Sequence, residues 1–265
     1  MIPDNKPFEI LLSGIFDRRH LAVHWSNEQR TTSPEIENSI EEAWNTRQVD
    51  AQQRGRILYP GRLCRLIDCR IQDDNLHLTL GATDFRELVG TNLSHPEWFR
   101  NLGPTYLSNA LGVHAVVSSS DSKLLIYKRS SLVAEYPNFY DVCGGHVEPD
   151  FDFVKGKPDP FAAIVREIQE ELSVAPDEIE KIVCLGLVRN TKTFKPDLIF
   201  SIRTNRTSSA FLETPLDDEH VEIRAIEDDV ESINRFLEEY SGRIAPAGEA
   251  CLILHILPYA SGNAK

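Results

Sequence analysis

An apolar-rich run from Phe8 to Ile15 predicts a first strand. From Ser33 to Ala51 the pattern turns helical: Ile36, Ile40, Ala43, Trp44 and Arg47 recur at helical spacing, Ser33 can cap the first turn and Pro34 takes the first helical position. Leu63 to Ile71 and Leu76 to Leu80 are apolar runs joined by Gln72-Asp73-Asp74-Asn75, a hairpin signal. Asp84 to Val89 predicts a short helix ending at Gly90, and Pro96 to Tyr106 is turn-rich. Beyond it, Leu111 to Val117 and Lys123 to Lys128 predict a second hairpin, and Asn138 to Val142 a strand running into Gly144-Gly145. Asp159 to Leu172 predicts a second clear helix, with Asp159 as cap and Pro160 in the first turn. Strands at Ile182 to Val188 and Leu198 to Ile202 follow, then helices over Asp228 to Tyr240 and from Pro246 to about Leu257.

Strands and helices mix without regular alternation, which predicts an α+β layered fold with mixed sheets. The turn-rich stretch sets an expected boundary: residues 1–106 form a smaller α+β N-terminal domain and 107–265 the second domain. The net charge of −13 argues against a nucleic-acid partner, which would call for a basic face. No stretch approaches the roughly 20 apolar residues of a membrane span, so no membrane partner is expected. No basic region precedes the first apolar run, so the N-terminus does not read as a signal peptide. The five cysteines, Cys64, Cys69, Cys143, Cys184 and Cys251, form no CxxC pair and read as reduced thiols, pointing to the cytoplasm.

The helix from Asp159 carries the chemistry. Phe161, Ile164, Val165, Ile168 and Leu172 make one apolar stripe, and Glu167, Glu170 and Glu171 lie beside it at i, i+3, i+4 spacing. Like charges so placed destabilise a helix by about 0.2–0.5 kcal/mol per pair, a penalty that a divalent cation reverses. Taken alone, such a string is an ordinary solvated face. Its context changes that reading: a strand, a Gly-Gly turn and then a carboxylate helix make a cradle for a metal-bound diphosphate, because glycine lets the backbone approach an anion closely.

On these residues the chain resembles the Nudix family. The family box runs from a glycine to a spaced glutamate, then Arg-Glu, an aliphatic residue, any residue, Glu-Glu, any residue, Gly and an aliphatic. Here Gly144-Gly145-His146-Val147-Glu148-Pro149 is followed by an insertion, Phe151 to Lys157, and then by Arg166-Glu167-Ile168-Gln169-Glu170-Glu171-Leu172-Ser173-Val174. Ser173 replaces the family glycine, and the family's first glutamate has no clear counterpart, since counting from the two ends gives Phe151 or Pro158. Ala43 to Arg47, Leu80 to Arg86, Gly90-Thr91-Asn92, Ala110 to Val113, Asp141 to His146 and Gly186 to Asn190 resemble the divergent branch that hydrolyses UDP-glucose and UDP-galactose. The resemblance implies a Nudix-type α/β/α sandwich with a mixed sheet and hydrolysis of a nucleotide sugar to UMP and sugar 1-phosphate. It implies Mg²⁺, or Mn²⁺, on Glu167, Glu171 and Glu170, with Arg166 orienting a glutamate. Expected substrate-binding residues are Gly144, Gly145, His146, Arg86, Thr91, Asn92 and Asn190.

Several of these positions keep a plainer reading open. Gly90-Thr91-Asn92 is equally a helix stop and polar turn, His146 a loop residue, and Asn190 a strand's polar exit. The insertion, with Phe151 and Phe153, is expected to pack locally. Gly156-Lys157-Pro158 is no P-loop, and no GxSxG or HExxH occurs. Competing functions are a Nudix hydrolase of ADP-ribose or another nucleoside diphosphate compound, and a non-catalytic nucleotide-binding regulator. The three clustered glutamates speak against the latter.

Overall fold

The computed structural model describes residues 6–216 and 218–260. Residues 1–5, part of the stretch read for a signal peptide, therefore lie outside it. The chain runs β1 (Phe8–Phe16), β2 (Leu21–Trp25), α1 (Pro34–Gln53), β3 (Arg62–Gln72), β4 (Asn75–Asp84), α2 (Phe85–Leu88), a π-helical turn (Val89–Leu93), α3 (Trp98–Asn101), β5 (Gly112–Ser118), β6 (Lys123–Arg129), β7 (Tyr140–Asp141) and β8 (Cys143–His146). It continues with β9 (Phe153–Val154), β10 (Lys157–Pro158), α4 (Pro160–Leu172), β11 (Ile179–Asn190), β12 (Pro196–Thr204), α5 (Ser208–Leu212), β13 (His220–Glu227), α6 (Val230–Glu239) and α7 (Pro246–Ala260).

The large sheet is ordered β1-β11-β12-β5-β6-β13, with β12 and β5 parallel and the other neighbours antiparallel. Its two faces carry separate cores. On one, Phe161, Ile164, Ile168 and Leu172 of α4 pack on Val113, Ala115, Val117, Leu198, Phe200 and Ile202; on the other, α6 and α7 cover Val116, Leu124, Ile126 and Ile199. Strand alternation sends successive β5 side chains to opposite layers, which yields the expected α/β/α sandwich. Each fully buried aliphatic side chain is worth roughly 1.5–3 kcal/mol.

The expected hairpin of Leu111 to Val117 with Lys123 to Lys128 opens almost at once. β5 and β6 pair only near Ser118 and Leu124. Below that point β8 pairs with β5, and β7 pairs with β6, so residues 140–146 wedge the two strands apart. The glycine pair expected as a turn is therefore part of strand β8, inside the sheet, with Gly145 directly against α4.

The boundary expected at residue 106 does not follow the sheets. β1 is the edge strand of the large sheet, paired with β11 from Phe8 opposite Asn190 to Phe16 opposite Cys184. Local pattern could not reveal this partner, some 180 residues away. The small sheet β2-β4-β3 shares a core with α4: Cys64, Leu76, Leu78 and Leu80 belong to the same cluster as Ile164. Backbone bonds continue across, Cys64 N to Val147 O at 2.8 Å and Leu111 N to Cys64 O at 2.8 Å. The short helix also does not end at Gly90 but widens into the π-helical turn. A Cβ on Gly90 would stand 2.6 Å from Ile40, so glycine there lets α1 pack closely. β2, α5 and β13 were not anticipated. No helix among the described residues is long and apolar enough to cross a membrane.

Candidate active site

α4 begins where expected: Asp159 accepts from the Phe161 and Ala162 N–H groups at 2.9 and 3.2 Å. It ends at Ser173, in the left-handed region at φ 53°. That conformation favours glycine, the residue the family places there, and costs another residue about 1 kcal/mol.

Within α4, Arg166 gathers the carboxylates. It forks onto Asp152, Nε to Oδ1 and Nη2 to Oδ2 both at 3.0 Å. It also donates to Glu167 Oε1 at 2.9 Å, Glu170 Oε2 at 3.2 Å and His146 O at 2.9 Å, with Glu148 Oε1 3.6 Å away. Burial, then the bond to Asp152, perturbs the guanidinium most, and the surrounding carboxylates leave its pKa raised. Asp152 is the residue that counting along the box missed. It lies in the insertion, is almost fully buried, and accepts from Glu148 N at 2.7 Å. Only its place beside Phe151, one of the two counted positions, hinted at it.

The insertion does more than pack on itself. Phe153 meets Trp25 of β2 edge to face at 5.5 Å between ring centroids, and Phe151 lies against the Arg166 guanidinium. The loop thus ties the small sheet to the carboxylate helix.

Glu167 fills the space that Gly145 leaves: a Cβ on Gly145 would stand 2.0 Å from Glu167 Oε1. Burial, opposed by Arg166 and reinforced by Glu170 and Glu148, pushes the Glu167 pKa up to about 7. Glu148 is raised as well, by burial first. Glu170 is largely exposed, whereas Glu171 turns inward and bonds the Cys143 thiol, which burial and Glu171 together push up. Among the described residues no three His, Cys, Asp or Glu side chains stand in metal-holding geometry; Glu167 and Glu170 are drawn onto Arg166 instead. In kind, though, these oxygen donors fit a hard divalent cation, and one guanidinium does not balance them.

Gly144, Gly145, His146 and Asn190 all line one cavity of about 200 Å³. His146 lies beside Lys195, and its recessed position and that cation lower its pKa to about 3. The Asn190 carboxamide accepts from Lys192 and Thr193 N–H at 2.8 and 3.1 Å and donates to the Tyr136 hydroxyl at 2.5 Å.

Arg86, Thr91 and Asn92 are not brought to this cavity. Thr91 and Asn92 are fully buried. Thr91 Oγ1 donates to Glu87 O at 2.7 Å and accepts from Ser108 N at 2.9 Å. Asn92 accepts from Asn109 N and donates to Thr193 O, both at 2.9 Å. Their hydrogen-bonding capacity holds backbone rather than ligand, a correction to the substrate-binding expectation that comes from their burial in the π-helical turn. Arg86 faces Glu37 and Glu41 of α1 at 3.5 Å. A wider groove of about 750 Å³ lies between α1 and the π-helical turn, lined by Thr46, Arg47, Leu93, His95 and Thr193 and sharing Glu135 and Tyr136 with the smaller cavity.

A glycine pair in β8, a carboxylate helix and a polar cavity thus come together in one region of the protein. The NUDIX domain profile matches residues 108–241. The chain belongs to the Nudix family, and it is a hydrolase acting on phosphorus-containing anhydrides. It is 27% identical over 246 residues to Nudix hydrolase 9 of Arabidopsis thaliana, covering 78% of each chain. It is 28% identical over 205 residues to a Homo sapiens protein named uridine diphosphate glucose pyrophosphatase NUDT22, covering 68% of each. Among solved structures, a MutT protein of Methanosarcina mazei Go1 aligns with a TM-score of 0.38 and 18% identity over 59% of this chain and 96% of that one.

Proposed function

We propose that this chain hydrolyses the diphosphate bond of a UDP-sugar, UDP-glucose or UDP-galactose, to UMP and sugar 1-phosphate. The observation that carries the reading is the seating of Glu167 in the space left by Gly145, a glycine that also lines a polar cavity. The name of the human relative supports the choice of nucleotide sugar.

Glu167 and Glu171, with Glu170, are the residues that would hold Mg²⁺ or Mn²⁺. A bound cation supplies charge to polarise a phosphoryl oxygen and to acidify the attacking water. Arg166 orients Glu167 and Glu170 through charge-assisted bonds, and Asp152 holds Arg166. Gly144 and Gly145 keep β8 free of side chains where the diphosphate approaches. With a pKa near 7, Glu167 retains a proton in part of the metal-free population at neutral pH. The five unpaired cysteines support a reducing compartment such as the cytoplasm.

The test is direct. The purified protein with Mg²⁺ is incubated with UDP-glucose, UDP-galactose, ADP-ribose and a dinucleoside polyphosphate, and the products are identified by mass. UMP and hexose 1-phosphate as the main products are expected. Turnover of ADP-ribose with none of UDP-glucose would overturn the substrate assignment.

A further inference from the structure

A second set of ionisable groups lies apart from the carboxylate helix, around Lys195. Its ammonium is 3.0 Å from Glu135 Oε1, 3.6 Å from Asp197 Oδ1 and 3.4 Å from His146 Nε2. Asp197 Oδ1 and His114 Nδ1 face each other at 3.5 Å, yet neither atom makes a hydrogen bond. Lys195, Asp197 and His114 are all more than nine-tenths buried. Leaving a polar group unsatisfied in a protein interior costs about 1–3 kcal/mol, and here two are left in one wall.

The backbone is cleared around both. A Cβ on Gly112 would stand 1.9 Å from Asp197 Oδ1, and one on Gly144 would stand 2.4 Å from His114 Cδ2. These side chains line the cavity of about 200 Å³, and so does Gly145, whose other neighbour is Glu167. Because residues alternate along β8, Gly144 opens towards His114 while Gly145 opens towards the carboxylate helix. Gly145 thus lines the cavity and abuts Glu167, so the glycine pair is the wall that the cavity and the carboxylate helix share.

We propose that this cavity is the glycosyl subsite, in which Asp197, Lys195 and His114 bind the hydroxyl groups of the sugar. The proposal rests on the UDP-sugar reading and deepens it. Its basis is a match of donors to acceptors. A carboxylate accepts and, when protonated, also donates; an ammonium only donates; and a neutral imidazole does one of each. A hydroxyl both donates and accepts, so neighbouring sugar hydroxyls can bridge the Asp197–Lys195 pair. Burial lowers the His114 pKa well below its usual value and keeps the ring neutral. Uracil, with a single N–H to give, matches poorly a wall in which Glu135, Asp141, Asp197 and Glu219 all present carboxylates.

The test uses the full-length protein with Mg²⁺ and three substrates: UDP-glucose, UDP-glucose lacking single sugar hydroxyls, and the methyl ester of UDP, which keeps the diphosphate but has no sugar. Wild-type kcat/KM is expected to fall at least tenfold on removal of one or more hydroxyls. In Asp197→Asn and His114→Gln the preference for UDP-glucose over the methyl ester should shrink at least tenfold, and the penalty for the missing hydroxyl should shrink with it. Wild-type enzyme indifferent to every hydroxyl would overturn the subsite without touching the UDP-sugar reading, and this arm does not depend on any variant folding. Equal losses on UDP-glucose and methyl ester in both variants would likewise overturn it and mark the cluster as structural. No hydrolysis of UDP-glucose by the wild type would bring down the function and, with it, the subsite.

Discussion

Two cations, each ringed by carboxylates, stand on either side of the Gly144–Gly145 segment of β8, and they are built differently. Arg166 lies at the protein's edge, forked onto buried Asp152 but also touching Glu170, which is 60% exposed. Lys195 is enclosed, with Glu135 and Asp197 both mostly buried around it. At the open cluster a carboxylate can exchange one partner for another at little cost, because water screens the change. At the closed cluster every charge must find its partner within the protein. The first arrangement suits residues that take up and release a cation; the second suits a fixed set of donors and acceptors that reads a ligand's shape.

The largest effect should come from the carboxylate helix beside the open cluster. Glu171→Gln keeps the shape of the side chain and removes its charge. We expect kcat/KM at saturating Mg²⁺ to fall by at least about a hundredfold, with no loss of metal-free melting temperature, since repulsion on α4 is relieved. Full activity at saturating Mg²⁺ would remove Glu171 from the metal-binding set.

Next in size is Asp152→Ala, which leaves Arg166 without its bidentate partner. A stability loss of about 3 kcal/mol is expected from chemical denaturation, together with weaker activity, because Arg166 then holds Glu167 less firmly. Unchanged stability would mean that the open cluster needs no buried anchor and that the contrast drawn above is false.

Asn92→Ala probes the scaffold behind the closed cluster, since Asn92 grips Thr193, two residues before Lys195. Stripping the Asn109 N–H and Thr193 carbonyl of their partner should cost about 1–3 kcal/mol, with uridine selectivity unaltered. A selective loss of UDP-sugar over ADP-ribose turnover, at unchanged melting temperature, would restore Asn92 to a recognition role.

The smallest effect is on pH dependence. Burial raises both Glu167 and Asp197 to about 7. A raised carboxylate contributes stability that is full below its unfolded pKa, near 4, and that is lost as pH rises through the folded value. The metal-free protein should therefore melt at progressively lower temperature between about pH 4 and pH 7. Mg²⁺ should flatten the part due to Glu167, and Asp197→Asn the part due to Asp197. A calorimetric profile rising across that interval would contradict both assignments.

Legibility in the sequence followed the range of the interactions involved. Ser33 and Asp159 mark their helices because a cap bonds residues two or three positions away. Glu167, Glu170 and Glu171 announce themselves by helical spacing. Asp152 could not be found by counting, because the insertion changes the spacing and only the folded loop turns that carboxylate onto Arg166. Lys195 and Asp197 carry no motif: they become a pair with His114 only when β12 lies parallel to β5. Thr91 and Asn92 misled for the opposite reason, since polar residues in a short turn look available for ligands until the π-helical turn buries them.

The first strand sets a condition on how this enzyme can be handled. β1 occupies the outer edge of β11, so a chain begun at residue 107 would bare a row of backbone N–H and C=O groups along Ile179–Asn190. Such an edge is a template for a strand from another molecule. The catalytic part excised by itself would therefore be prone to assemble edge to edge, and the opening residues serve the rest of the chain as a permanent guard against its own copies.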